Sequence, residues 1–217
     1  LLHAVGVAHA ARLRGEDTVV MALCGDGATS EGDFHEALNF AAVFHAPVVF
    51  LVQNNKYAIS VPLAHQSVAP SLACKGVGYG IPGILVDGND VAALSAVLGR
   101  AVADAAAGGG PVLVEADTYR MHAHTNADDP TRYRTDEEVR SWECRDPISR
   151  VRTYLRDVGV LDDAAEQALA AEAEALAAHV REGLSRARPS VYASPTPQLL
   201  AQRDLLRAEL ATEEADR

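Results

Sequence analysis

The pattern of hydrophobic positions divides much of the chain into short apolar runs and segments with helical spacing. The apolar runs span residues 19–23, 48–52, 84–86 and 112–116. The first three runs are unbroken and the fourth is nearly all apolar, and short runs of this kind, rich in β-branched residues, are typical of strands buried on both faces of a parallel sheet. Because the runs alternate with helical segments, the pattern predicts an α/β fold with a doubly wound parallel sheet.

Three helices are predicted around these runs. One covers residues 2–13, and another covers residues 90–106 with Asp90 as its N-cap. The helix between the first two strands has Thr29 or Ser30 available as a cap. Its apolar residues recur at helical spacing and are Phe34, Ala37, Leu38, Ala41 and Phe44.

The composition changes to acidic, alanine-rich helical sequence after residue 135. This part predicts one long helix over residues 162–186 and a last helix within 195–210. We therefore expect an α/β domain over residues 1–135 and a helical C-terminal extension over residues 136–217.

Two polar groups follow the first two strands directly. Asp26 stands between Gly25 and Gly27, and Asn55 ends the Asn-Asn pair after the second strand. Such a β-α-β unit has a right-handed crossover, so both groups lie at the carboxyl ends of the strands, where α/β sheets bind ligands. A carboxylate and an amide oxygen are hard ligands that suit Mg2+. The glycines admit an anion to the backbone, and the N-terminus of the next helix attracts it. The stretch therefore predicts a Mg2+-bridged diphosphate.

The stretch from Gly25 to Tyr57 resembles the thiamine diphosphate motif, which begins with GDG and ends with NN. The segments GATSEGDFHEALNFAAV and QNNKYAIS resemble the alpha subunit of the decarboxylating component of 2-oxo acid dehydrogenase complexes. The resemblance implies that Asp26, Asn55 and the backbone carbonyl of Tyr57 bind the metal. It also implies that Gly27 and Ala28, with Gly25 beside them, lie against the diphosphate.

Residues 119–134, which read YRMHAHTNADDPTRYR, follow the fourth strand and also belong to its carboxyl end. On their own they fit a solvated polar loop or a metal site made by His122, His124 and the acids Asp128 and Asp129. They resemble the mobile loop of the same alpha subunits, here residues 119–135. The resemblance assigns the active-site histidine, and a contact with the cofactor, to His124; the role of His122 stays open. An imidazole can hydrogen-bond a diphosphate and transfer protons near neutral pH.

Two positions near this loop qualify the resemblance. Thr125 stands where the mammalian subunits carry a regulatory phosphoserine, and the sequence leaves its phosphorylation open. Gln53 stands where branched-chain versions carry an arginine before the Asn pair. A glutamine cannot supply that charge, and Arg120 is the candidate to replace it. Residues 58–70 are expected to be irregular and to fold over the cofactor crevice.

Composition limits the class of protein. The 217 residues are 48% hydrophobic, enough for one sizeable core. A formal charge of -11 and a pI near 5.1 argue against a nucleic-acid partner. No membrane-spanning run and no signal peptide are expected. The three cysteines, Cys24, Cys74 and Cys144, have no CxxC spacing, so we expect free thiols and a cytoplasmic location.

The resemblance implies oxidative decarboxylation of a 2-oxo acid on thiamine diphosphate with Mg2+, followed by reductive acylation of a lipoyl group. The implied partners are a beta subunit, in an assembly of two alpha and two beta subunits, and the lipoyl-bearing acyltransferase. No candidate is found for the glutamate that activates the cofactor, so the isolated chain is expected to be inactive. The first residue is not methionine, and the N-terminal part of the protein is expected to be missing.

The WECRDPISRVRTYL passage favours a branched-chain 2-oxo acid slightly over pyruvate. The sequence also leaves two other classes of protein open. One is another thiamine diphosphate enzyme, transketolase-like or decarboxylase-like, which would carry both halves of the cofactor site on one longer chain. The other is a non-catalytic homologue that keeps the fold for assembly. A Rossmann oxidoreductase is disfavoured because no G-x-G-x-x-G follows the first strand.

Overall fold

The centre of the fold is a parallel sheet of four strands. The computed structural model describes residues 1–186. The strands are β1 (Val20–Gly25), β2 (Val48–Asn54), β3 (Tyr57–Ala58), β4 (Val61–Pro62), β5 (Gly83–Asp87) and β6 (Val112–Asp117). The parallel sheet has the order β1-β2-β6-β5, while β3 and β4 form a small antiparallel hairpin. The predicted α/β fold with a parallel sheet is confirmed.

The described helices are α1 (Leu2–Leu13), α2 (Gly32–Val43), α3 (Val91–Asp104), α4 (Asp136–Glu143), α5 (Pro147–Asp157) and α6 (Asp163–Arg186). Helices α1 and α2 pack on one face of the sheet, and α3 packs on the other. Along β2, Val48, Phe50 and Val52 point into a hydrophobic cluster shared with α1 and α2. The alternate residues Val49 and Leu51 point into a second cluster shared with α3. This alternation follows from the two-residue repeat of a strand and makes the sheet doubly wound.

The caps of two helices test the sequence predictions. Asp90 caps α3 as predicted, since its carboxylate accepts from the backbone N–H groups of Ala92 and Ala93, both at 3.0 Å. The predicted cap of α2 is wrong. That helix begins at Gly32 with Glu31 as its N-cap, after a short 3-10 turn over Gly27–Ser30. The hydroxyl of Thr29 is engaged inside this turn, where it donates to the Asp26 carbonyl at 2.8 Å.

No membrane-spanning run was expected from the sequence, and this expectation is wrong when only length and composition are considered. Among the described residues one helix, Val91–Gly109, is long and apolar enough to do so. A core helix passes the same test. Here Leu94, Val97 and Ala101 of that helix pack against the sheet in the second hydrophobic cluster.

Internal contacts divide the chain into one unit over Leu1–Val160 and a second that begins at Leu161. Helices α4 and α5 therefore belong to the first unit, and the predicted domain boundary at residue 135 stays a prediction. The long helix predicted over residues 162–186 is present as α6. The helix predicted within residues 195–210 lies outside the described residues.

Two glycines of the 3-10 segment Leu72–Tyr79 give a matched test of the packing. A Cβ at buried Gly76 would lie 2.7 Å from the Ile81 carbonyl oxygen, whereas a Cβ at exposed Gly78 would meet nothing within 4 Å. Gly76→Ala should lower the free energy of unfolding by about 1–3 kcal/mol, because backbone cannot yield as a side chain can. Gly78→Ala should leave it unchanged or raise it by up to about 1 kcal/mol. Denaturant unfolding measures both, and equal stabilities would contradict the packing described.

Candidate active site

The ends of β1 and β2 lie side by side. The two strands are parallel neighbours in which Gly25 is opposite Gln53, so Asp26 leaves the sheet level with the Asn54-Asn55 pair. The structure therefore brings the two predicted ligands, Asp26 and Asn55, to one edge of the sheet. Their role as metal ligands stays a prediction.

The carboxylate of Asp26 is buried. The residue is 1% exposed, and its Oδ2 accepts a hydrogen bond from Gln66 Nε2 at 2.9 Å. No ion pair among residues 1–186 involves it. Because a buried carboxylate is costly unless it is paired or coordinates a metal, this position suits a bound cation.

Glycine is required at one of the two glycine positions. A Cβ on Gly27 would lie 2.7 Å from the Cβ of Ala58, so the β3–β4 hairpin sits against the Gly-Asp-Gly turn. Any side chain at this position would push the hairpin away. At Gly25 a Cβ would meet nothing within 4 Å, and Ala28 is half-buried in the 3-10 turn that follows. The fit of the turn thus depends on Gly27.

The two asparagines of the Asn-Asn pair have different surroundings. Asn54 is 1% exposed and donates from Nδ2 to Glu115 at 2.7 Å, so it belongs to the core. Asn55 is half-buried, and its Oδ1 accepts only a long hydrogen bond, 3.3 Å, from the N–H of Tyr57. Between them and Tyr57, Lys56 has a left-handed backbone with φ 75°. Asn55 is therefore the member of the pair whose side-chain oxygen is available to bind a ligand.

Sequence reasoning missed Glu115, which was counted within a nearly apolar strand. It is 2% exposed, and its second oxygen accepts from the N–H of Ala73 at 2.8 Å. Glu115 therefore ties the end of β2 to the segment after the hairpin. A single charged residue in an otherwise apolar strand was the available signal.

Lys75 was also missed, and it supports the turn that follows Asp26. Its ammonium donates to the carbonyl and hydroxyl oxygens of Thr29, at 2.7 and 2.9 Å. Burial lowers the pKa of Lys75, and the nearby charge of Glu115 opposes that shift. The turn is thus held from the segment Leu72–Tyr79, far from it in sequence.

The loop after β6 reaches the same edge through Arg120. The backbone N–H of Arg120 donates to the Asn55 carbonyl at 3.3 Å. Its guanidinium donates to the carbonyls of Tyr57, at 3.1 Å, and Ile59, and to the hydroxyl of Tyr133 at 3.0 Å. The carbonyl predicted to bind a metal therefore contacts a guanidinium, although a carbonyl oxygen has two lone pairs and can serve both.

A second arginine folds the loop over itself. Arg134 is 8% exposed and donates to the carbonyls of Arg120, Met121 and His122, the last two at 2.8 and 2.9 Å. These contacts exceed what a solvated polar loop would make. His122 itself is exposed, and no group of three or more metal-ligating side chains occurs within residues 1–186. The mobility of the loop stays a prediction.

Asp128 holds the part of the loop that carries His124. Its Oδ2 accepts from the Tyr133 hydroxyl at 2.6 Å and from the His124 N–H at 2.8 Å. These hydrogen bonds lower the pKa of Asp128. Because the pKa is lowered, the carboxylate stays ionised and keeps these contacts at any pH above the usual pKa of an aspartate. The contacts weaken only when the pH falls through the lowered pKa.

His124 is exposed, and its ring is oriented by Arg120. The distance between His124 Nδ1 and the Arg120 guanidinium nitrogen is 3.4 Å. Because a guanidinium can only donate, Nδ1 must be the acceptor, and the proton of the neutral ring lies on Nε2. The structure therefore offers His124 with a free N–H donor.

Helix α4 is joined to the site through Glu138. Its carboxylate accepts from the hydroxyls of Tyr57, at 2.7 Å, and Tyr119, at 2.9 Å. Burial, together with this carboxylate, raises the pKa of Tyr119 to about 12. Both phenols therefore stay protonated as donors, and the base of the loop is fixed to α4.

The chain combines a doubly wound α/β sheet with a buried acid and an amide at two adjacent strand ends, the edge at which sheets of this class bind ligands. The chain belongs to the dehydrogenase E1 component family, which it matches over residues 1–195. The family predicted from the sequence is confirmed. This family implies thiamine diphosphate as the cofactor.

Two relatives with known names indicate where the chain belongs within the family. It is 55% identical to the 3-methyl-2-oxobutanoate dehydrogenase subunit alpha of Mycobacterium tuberculosis, over 97% of this chain and 59% of that protein. It is 46% identical to the pyruvate dehydrogenase E1 component subunit alpha of Staphylococcus aureus, over 80% of this chain and 47% of that protein. The chain thus spans about half the length of the curated relatives it matches.

Arg134 and Arg132 give a matched test of the loop. Arg134→Lys should increase amide hydrogen exchange at residues 120–128, because one ammonium cannot replace a buried fork that donates to three carbonyls. Arg132→Lys, at an exposed position in the same loop, should leave exchange unchanged. Equal exchange in both variants would contradict the role given to Arg134.

Proposed function

We propose that the protein catalyses oxidative decarboxylation of a 2-oxo acid on thiamine diphosphate and reductive acylation of a lipoyl group. In this proposal the chain is part of the alpha subunit of a 2-oxo acid dehydrogenase complex. The observation that carries it is the buried carboxylate of Asp26, which forms no ion pair within residues 1–186 and is level with Asn55 at the edge of the sheet. The names of the two relatives support the reaction class.

In this proposal Asp26, the Asn55 amide and the Tyr57 carbonyl hold Mg2+, and Gly25, Gly27 and Ala28 lie against the diphosphate. Oxygen ligands of this kind match what Mg2+ prefers. When bound, thiamine diphosphate supplies the carbanion chemistry, and the protein supplies position and electrostatics. The close contact between Gly27 and Ala58 explains why this turn carries no side chain at Gly27.

His124 is proposed as the catalytic residue of this chain. The loop contacts of Arg120 and Asp128 leave its Nε2–H free to donate a hydrogen bond to the cofactor or a proton during acyl transfer. Because the loop is tied to Tyr57 and Asn55, an ordered loop sets His124 beside the predicted metal site. The proton of the neutral His124 ring is thereby held on Nε2.

The proposed partners are a beta subunit, in an assembly of two alpha and two beta subunits, and a lipoyl-bearing acyltransferase. Both relatives are named as alpha subunits, which supports a complex with other subunits. We also propose a cytoplasmic location. The three cysteines are free, and burial raises the pKa of Cys24 to about 11, so that thiol stays neutral.

A branched-chain 2-oxo acid is the proposed substrate, ahead of pyruvate. The relative named for 3-methyl-2-oxobutanoate matches at higher identity and over more of this chain than the one named for pyruvate. The two substrates differ only in apolar carbon atoms, which are worth about 1–3 kcal/mol in a pocket.

The metal assignment can be tested with the full-length chain co-expressed with its beta subunit. Asp26→Asn should weaken binding of thiamine diphosphate in the presence of Mg2+ by more than about 100-fold, because loss of a ligand exceeds the usual effect of an outer-shell change. Asp33→Asn, at an exposed position in the first turn of α2, should bind normally. Isothermal titration calorimetry measures both, and normal binding by Asp26→Asn would refute the assignment.

The substrate assignment can be tested by measuring turnover of the two 2-oxo acids by the same assembly. The kcat/KM for 3-methyl-2-oxobutanoate should exceed that for pyruvate by about 10-fold or more, from the transfer energy of the additional methyl groups. A higher kcat/KM for pyruvate would reverse the assignment. Absence of turnover with either acid, in the presence of lipoyl acceptor, would favour a non-catalytic homologue.

A further inference from the structure

Gln66 contacts the carboxylate on which the proposed site depends. Its Nε2 donates to Asp26 Oδ2 and to the carbonyl of Val61, both at 2.9 Å. Because both partners are acceptors, the orientation of the amide follows from the contacts: the nitrogen faces Asp26, and the oxygen faces away from these two acceptors.

The oxygen of the same amide has no partner. Gln66 Oε1 is buried and accepts no hydrogen bond within the described part of the chain. It lies 3.9 Å from the point that a Cβ of Gly27 would occupy. A buried acceptor without a donor is costly, so a free acceptor beside the Gly-Asp-Gly turn indicates a donor that is not among residues 1–186.

The fold delivers Gln66 to this place through the β3–β4 hairpin. After the hairpin, residues Leu63–His65 form one 3-10 turn, and the N–H of Gln66 donates to the Leu63 carbonyl at 2.9 Å. The bond to Val61 then directs the side chain back across the hairpin. The hairpin is itself seated on Gly27 by Ala58, so Gln66 and Asp26 are fixed by the same contact.

We infer that Gln66 is a positioning residue for the cation, an inference that rests on the proposed function. Its Nε2 holds one oxygen of Asp26 and leaves the other to the cation. Its Oε1 accepts a hydrogen bond from a water that the cation carries, since Mg2+ usually keeps some of its waters in proteins. Gln66 acts through Asp26 and through that water, and it is not itself a metal ligand.

The test uses Mn2+ as the probe, in the full-length chain assembled with its beta subunit and with thiamine diphosphate present. The free Mn2+ signal in electron paramagnetic resonance gives the Kd. Gln66→Met, which keeps the size and removes both polar contacts, should raise that Kd about 10- to 100-fold, as outer-shell changes do. Gln167→Met, at an exposed position of α6, is the matched control and should bind as wild type.

Two further readouts separate positioning from a purely structural role. The melting temperature of the metal-free Gln66→Met protein measures the cost of losing the hydrogen bonds to Asp26 and Val61, and kcat should return at saturating Mn2+, which a purely structural defect would not allow. If Gln66→Met does not fold, Gln66→Asn gives the result, because it keeps the amide but is one methylene too short to reach Asp26. An unchanged Kd in the variant that folds overturns the inference.

Asp26→Asn in the same titration distinguishes the two proposals. If wild type binds Mn2+ no more tightly than Asp26→Asn, the cation is not held at Asp26, and the proposed function fails with the inference. If wild type binds more tightly than Asp26→Asn and Gln66→Met equals wild type, only the inference fails.

Discussion

A buried carboxylate with no ion-pair partner among residues 1–186 is the constraint on which the rest of the site depends. Asp26 is placed where β1 leaves the sheet, and its position is set by the parallel pairing with β2. Around it the chain has a turn without a side chain at Gly27, a hairpin seated on that turn, and an amide donor from Gln66. The packing of Ala58 explains the first two features, and the buried carboxylate with its single amide donor is accounted for by a hard cation.

The loop that carries His124 depends on the same edge. Arg120 joins it to the backbone after β2, Arg134 closes it on itself, and Glu138 ties its base to α4 through two tyrosines. Because the Tyr57 carbonyl is shared between this network and the proposed metal site, occupation of the site and order of the loop are expected to be coupled. The proposed catalytic residue, His124, would then be presented only where the cofactor is held.

The sequence predicted the features that are local or that repeat. The apolar runs located the four parallel strands, and the alternation along β2 follows from the strand period. Asp26 and Asn55 could be found because polar residues directly after buried strands must gather at one edge of the sheet. The Asp90 cap was predictable because its partners are only two and three residues away.

The features that were missed depend on residues far apart in the chain. Gln66 lies 40 residues after Asp26, and Glu115 lies 61 residues after Asn54, so no spacing rule connects either pair. Thr29 has the residue type of a helix cap, but its hydroxyl donates to the Asp26 carbonyl instead. It lies in a 3-10 turn that precedes α2. Arg134 looked like one more polar loop residue, and only the folded loop shows that it is buried.

The most direct test of the central claim is to locate the cation. A crystal structure of the full-length chain with its beta subunit, thiamine diphosphate and Mn2+ would show the ion by its anomalous scattering. The account predicts one peak within about 2.0–2.3 Å of oxygens of both Asp26 and Asn55, the range of such metal–oxygen bonds. A peak elsewhere, or an Asp26 and an Asn55 too far apart to share one ion, would contradict it.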